Sequence, residues 1–285
     1  MYVNDFKLKL ENSNYKILLE NIDSNNTQYY KNDYRYLNDF FKAEQIPSDK
    51  IINFIIENDM IDILTAIEKE IYKEEINASM KAHGQRHILN VVLFSMILGL
   101  NLLEKKDLIL LLVAAKYHDV GRTEENKQDH AFFSSLKAKE RLKMSLASDD
   151  LGIVLTAIEF HEISRNSIDE EYIFNNIAER NGVSIEKFKR ARLISELLKD
   201  ADALDRTRFV NRARLDNRYL KFDISKKLIK FSSNLQETYA TKDLSLFSYN
   251  PNLINQYTPQ ELLRILRKNE QKSLVEDRKV ASINK

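Results

Sequence analysis

The residues able to do metal or acid–base chemistry are gathered in one part of the chain. Of the 5 histidines, His83, His87, His118 and His130 lie in the stretches HGQRHILNVV and KYHDVGRTEENKQDH, and His161 follows further along. His118 is followed directly by Asp119, and a later acid cluster holds Asp200, Asp202 and Asp205. Neutral imidazole and carboxylate are the ligand types of zinc, manganese, iron and other transition metals. His83 and His87 stand four apart, so on a helix they share a face. Either that pair or the His118-Asp119 dipeptide alone fits an ordinary solvated or core pair. Together with His130, His161 and the acid cluster, they predict a metal site built from several helices.

The elements that must position these residues read as helices. Residues 84–103 form one, with Gly99 as a tolerated weak point. Residues 104–107 mark a turn, and DLILLLVAAKYHD is so apolar that its helix should be central and buried. Gly121 stands just past its end, a common place for glycine. His118 and Asp119 therefore fall at the end of the most buried helix, where a carboxylate is costly unless paired or metal-bound. His130 opens a helix through AFFSSLKAKERLKM, residues 150–161 make another, and residues 186–207 carry LLKDADALDR on a third. Residues 164–185 read as a surface excursion or a helical insertion.

Outside this core the sequence predicts support. Pro47-Ser48-Asp49 starts a helix that continues through IINFIIENDMIDILTAIEKEIYKEE, with a break near Asn58-Asp59. Residues 1–46 favour helix over strand. Thr258-Pro259-Gln260-Glu261 is a capping box with proline at the first helical position, leading into a charged tail expected to fray. The division is thus an N-terminal helical region over 1–74, a core over 75–222, and a C-terminal helical region and tail over 223–285.

Composition narrows the function classes. Only 5 Gly and 3 Pro are present, too few for a turn-rich β-sandwich or barrel, so the fold class is all-α. Lys+Arg 44 against Asp+Glu 43 leaves a net charge of +1, and no bulk field points to nucleic acid or an acidic membrane. A row of Arg208, Arg212, Arg214 and Arg218 is the local exception. The absence of cysteine excludes disulfides and thiolate ligands and fits a reducing cytoplasm. The N-terminus, MYVNDFKLKLEN, places Asp and Glu where a signal peptide needs apolar residues, so a cytoplasmic location is expected. The most apolar run, residues 88–103, holds Asn90, Ser95 and Asn101 and falls short of the ~20 residues that span a bilayer. It reads as a buried helix, with no membrane partner.

The order of these residues resembles the HD superfamily of metal-dependent phosphohydrolases, over roughly residues 80–220. His87-Ile88-Leu89-Asn90-Val91 looks like the family's opening H-x-x-[RN]-V. His118-Asp119-Val120-Gly121 matches its HD-[IV]-G core, and Asp202-Ala203-Leu204-Asp205 looks like its closing D-x-L segment. The resemblance selects Asp202 as the ligand and leaves Asp200 and Asp205 as neighbours, a choice that spacing alone left open. It implies an HD-domain helical core with helical additions at both ends.

The resemblance also implies metal ligation by His87, His118, Asp119 and Asp202. His130 and His161 occupy the places of the two extra histidines that dinuclear members carry, so two divalent cations (Mn, Fe, Zn, Ni, Co or Mg) are expected. In the alternative, His130 caps a helix, His161 is a buried hydrogen-bonded imidazole, and one metal remains. His83 is expected behind the ligands, supporting them. Hydrolysis of a phosphoester of a nucleotide or related small molecule by metal-activated water follows. Asp119 would orient that water or take its proton. Arg122, Arg206 and Arg208 are the candidates for planar phosphate contacts, with solvent-facing side chains as the ordinary alternative.

Three subfamilies are set aside. The chain has no G-Y-P segment of the HD-GYP phosphodiesterases, no Glu-Asp after the HD pair as in alarmone hydrolases, and no H-D-x-G-H-x-P-F-G-H stretch of dNTP triphosphohydrolases. A catalytically silent metal- or nucleotide-binding module with a regulatory role is the rival from another class. Oligomers are permitted but not required.

Overall fold

The structure is a computed structural model. It describes residues 61–208 apart from 75, 78–79, 81–82, 124, 127–128 and 166, residues 219–235 apart from 234, Leu215, Ile46 and scattered positions over 50–58. The helices expected in 1–45, the Thr258 capping box, and Arg212, Arg214 and Arg218 lie outside the described residues. No strand occurs among the described residues, and the fold is all-α.

In chain order the helices are α1 (Ile61–Lys73), α2 (Gln85–Leu102), α3 (Lys105–Tyr117), α4 (His130–Leu142), α5 (Ser148–Phe160), α6 (Glu170–Arg180), α7 (Phe188–Asp205) and α8 (Asp223–Lys227). Two 3₁₀ turns, Ile185–Lys187 and Arg206–Arg208, flank α7. Boundaries fall within a few residues of the sequence expectation. Asn58 ends the first described helical turns, its side-chain amide donating to the carbonyl of Phe54 at 2.7 Å, where the break was expected.

Helix α2 is the centre of the bundle. Every residue from His87 to Gly99 is buried, because α3 and α7 pack along it and α1 covers a further side. By length and composition alone it could cross a membrane, but its apolar surface is spent on these neighbours. Each fully buried Leu, Ile, Val or Phe here contributes roughly 1.5–3 kcal/mol of transfer free energy. Helix α5 fills the other half of the core, between α3, α4 and α7. The stretch over 164–185, expected as a surface excursion or a helical insertion, carries helix α6 and so is a helical insertion, with an inner face that packs on the core. Phe174 of α6 is buried and meets Phe160 edge-to-face at 5.1 Å.

Buried charges lock the frame. Lys116, at the end of α3, pairs with Glu70 and, at 2.6 Å, with Glu74. That ties α1 and the residue just after it to the last turn of α3. Residues 219–222 are held to α7 by Asp200, which accepts the backbone amides of Lys221 (3.0 Å) and Phe222 (3.0 Å) and a guanidinium N–H of Arg165 (2.6 Å).

Candidate metal centre

Helices α3 and α5 end in the same way. His118 and His161 are their C-cap residues, and each donates Nδ1–H to the carbonyl three residues back: Ala115 at 2.8 Å and Ile158 at 2.6 Å. Both rings are thereby turned with Nε2 outward from the helix end, where the macrodipole favours positive charge. His87, on the first turns of α2, has Nδ1 2.7 Å from Asp205 Oδ2, and His130, opening α4, has Nδ1 3.3 Å from Glu162 Oε2. An oxygen acceptor at Nδ1 assigns the proton there and leaves Nε2 as the donor atom toward a metal, the arrangement in which outer partners fix ligand orientation.

The four Nε2 atoms converge on Asp119. His87 and His118 lie 3.1 Å apart through their Nε2 atoms, and His130 and His161 lie 3.4 Å apart. Asp119 Oδ2 is 3.5 Å from His87 Nε2 and 3.8 Å from His118 Nε2. Its Oδ1 is 3.1 Å from His130 Nε2 and 3.8 Å from His161 Nε2. Asp202 Oδ1 completes the first group, 3.4 Å from His87 Nε2 and 4.0 Å from His118 Nε2. His83 Nδ1 meets Asp119 Oδ2 at 2.9 Å, from the rim and not from the middle of the cluster.

A turn with no room for a side chain brings the two groups together. A Cβ on Gly121 would stand 2.3 Å from the Ser134 amide nitrogen and 2.4 Å from the Phe133 carbonyl carbon. The backbone after the HD pair therefore lies directly on α4, and Gly121 N–H donates to Ser134 Oγ at 2.9 Å. Close approach explains this glycine, where the sequence suggested only a helix stop.

The donor set fits a divalent cation by a test internal to the site. Asp119 Oδ1 is buried and accepts no well-directed hydrogen bond, although the centre is lined with imidazole. A buried anionic carboxylate needs positive charge facing it; in metal-free protein His130 at 3.1 Å and Arg122 at 3.8 Å supply it, and a bound cation would take the place of the imidazole proton. Among the described residues, three overlapping groups could hold a metal: His83, His87 and Asp119; His87, His118 and Asp202; His118, Asp119 and His161.

Electrostatics agree with cation-directed chemistry. Burial works against the charged forms of Asp119 and Asp202, but the surrounding imidazoles prevail and hold both carboxyls below their ordinary range. Burial pushes His118 down to about 3 and also lowers His161, so both rings are neutral and present lone pairs. Burial and the Arg208 charge oppose protonation of His87, yet Asp119 and Asp205 raise it to about 9. Burial likewise opposes protonation of His130, and Asp119 and Glu162 raise it to about 9. The Arg122 Nη1 contact to His130 Nε2, 3.0 Å long, pulls the other way, since a guanidinium can only donate.

The acid cluster of α7 divides by helix geometry. Asp202 faces the centre and Asp205, three residues on, lies behind His87 at its Nδ1, while Asp200 points to Arg165. Asp205 is more than a neighbour. It is fully buried and also accepts from Asn90 Nδ2 at 2.7 Å and Arg208 Nη1 at 2.8 Å. Its i+3 spacing from Asp202 was the available signal. Glu162, next to His161, was missed too, and only the fold brings it under His130. Of the arginines, Arg208 is engaged by Asp205, Arg122 lies 3.8 Å from Asp119 Oδ1, and Arg206 is exposed beside the cluster.

A helical bundle with converging histidine and carboxylate donors defines a candidate metal-binding site. Residues 84–208 match the family model for the HD domain, a match consistent with the HD superfamily of metal-dependent phosphohydrolases. No curated protein and no solved structure matches the chain.

Proposed function

We propose that this chain is a metal-dependent phosphohydrolase that cleaves a phosphoester of a nucleotide or related small molecule. The observation that carries the reading is the convergence of four Nε2 atoms and two carboxylates, each imidazole held from behind at Nδ1. His87, His118, Asp119 and Asp202 would hold one divalent cation. His130, His161 and the second oxygen of Asp119 would hold another. Cations there acidify water and offset the negative charge of a phosphoryl group.

The chain's own residues do the rest. Asp119, anionic throughout the neutral range, can accept a hydrogen from the attacking water and orient it. Hydrolysis joins the water oxygen to phosphorus and breaks the bond to the leaving oxygen, which takes up a proton. Arg122 and Arg206 flank the cluster on two sides, where planar donors can bind phosphate oxygens. Arg208 serves Asp205 first, so its effect on substrate would come with an effect on metal.

The test is a hydrolysis panel of nucleotide mono- and diesters with added Mn²⁺, run beside metal analysis. Hydrolysis and bound metal should both disappear in His118→Ala and Asp119→Ala, with helix content retained. Full metal content and activity in either variant would overturn the reading. Metal binding without hydrolysis of any ester would favour the silent module.

A further inference from the structure

In the connection between α1 and α2, the one non-glycine residue in the left-handed region among the described residues is Asn77, at φ 51°. It lies outside the matched HD segment. Its side-chain amide makes two hydrogen bonds, both to backbone carbonyls: His83 O at 2.9 Å and Asp119 O at 2.9 Å. Those two residues are far apart in sequence, and their side chains meet each other at 2.9 Å. One carboxamide therefore ties together the main chains of a pair already joined through an imidazole and a carboxylate.

The place of this contact gives it its effect. Asp119 is not in a helix but in the turn after α3, so no regular backbone ladder fixes its peptide planes. Among the described residues its carbonyl accepts from Arg122 N at 2.9 Å and from Asn77 Nδ2. A small rotation at that carbonyl would swing the carboxylate whose two oxygens face the two histidine groups. The loop itself is tight around Asn77, whose carbonyl accepts the Met80 amide at 3.0 Å. Asparagine also suits the backbone, because it tolerates the left-handed region better than most residues.

We infer that Asn77 is a positioning residue for the metal centre, clasping the Asp119 and His83 backbones so that the Asp119 carboxylate faces the imidazole cluster. The inference rests on the metal-centre reading above. It assigns part of the site to a loop that precedes the HD segment. Only an amide works there, since two carbonyl oxygens need two N–H donors from one short side chain.

The test uses the full-length chain with Asn77→Asp and Asn77→Gly. Aspartate keeps the shape and the backbone tolerance but turns an oxygen toward two carbonyls. Glycine keeps the backbone freedom and removes the amide. Mn²⁺ affinity by titration calorimetry should fall tenfold or more in both, the range for loss of an outer-shell partner. A residue that only stabilises the loop would lower the melting temperature in chelator and leave Mn²⁺ affinity as in the wild type. That result overturns the inference.

A second readout needs no metal. In chelated protein, amide hydrogen exchange over residues 117–123 should quicken in both variants, while exchange in the α5–α6 region stays unchanged. If the wild type takes up no Mn²⁺, the metal-centre reading fails. Exchange over 117–123 then decides alone whether Asn77 holds the Asp119 turn, and unchanged exchange refutes that.

Discussion

Replacing Asp205 by asparagine gives the sharpest test of how the centre is supported. The carboxylate is fully buried, and its donors among the described residues include His87 Nδ1 at 2.7 Å, Asn90 Nδ2 at 2.7 Å and Arg208 Nη1 at 2.8 Å. An amide offers one acceptor oxygen and presents N–H donors on its other side, so at least one of these contacts turns repulsive. Loss of a hydrogen bond to a charged group costs on the order of 1.5–3 kcal/mol. Part of that cost falls on folding, because Arg208 loses its partner. The rest falls on metal affinity, since His87 loses the group that fixes its tautomer and raises its basicity. Outer-shell losses of this kind weaken metal binding by about 10–100-fold, or about 1.4–2.8 kcal/mol at 1.4 kcal/mol per decade. Calorimetric titration with Mn²⁺ should therefore show a dissociation constant raised by one to two decades, with helix content by circular dichroism unchanged. Wild-type affinity in a folded Asp205→Asn protein would show that Asp205 serves packing alone.

The other expectations concern pH, the glycine turn, the second histidine pair and the arginines. In metal-free protein His87 and His130, raised from 6.5 to about 9, contribute stability that is complete below pH 6.5 and fades as pH rises through 9. Metal competes with those protons, so Mn²⁺ affinity should climb from pH 6.5 to 9, and a flat profile would contradict the assignment. Gly121→Ala should overpack the turn against α4, with a stability loss of about 1–3 kcal/mol and a lowered metal stoichiometry; an unchanged melting temperature and metal content would refute the close-approach account. His130→Ala or His161→Ala should reduce two bound cations to about one and remove most hydrolysis, whereas a wild-type stoichiometry of one would leave a mononuclear centre. Arg206→Ala should raise KM or lower kcat without loss of metal, while Arg208→Ala should weaken metal binding as well, and identical behaviour of the two would count against the Arg208–Asp205 link.

Much of this protein is legible in its sequence. Scarce Gly and Pro with long apolar stretches at helical spacing set the all-α class, because helix periodicity is a local property of the chain. The apolarity of residues 108–115 marked α3 as buried, and His118-Asp119 at its end followed. The resemblance named His87, His118, Asp119, His130, His161 and Asp202, and the fold brings all six to one place.

Tertiary structure decided what lies behind them. Nothing local pairs Glu162 with His130, or Asn77 with Asp119, since such contacts depend on which helices pack and how closely. Gly121 has the local signature of a helix stop, and only the packing of α4 against it sets its close-approach role. Asp200, Asp202 and Asp205 are chemically alike, and only the orientation of α7 sends one to Arg165, one to the centre and one to the back of His87. The sequence by itself determined which residue types could bind a cation and on which helices they ride. The packing of those helices determined which atoms face one another, because a side chain's partners across a core are set by neighbours remote in sequence.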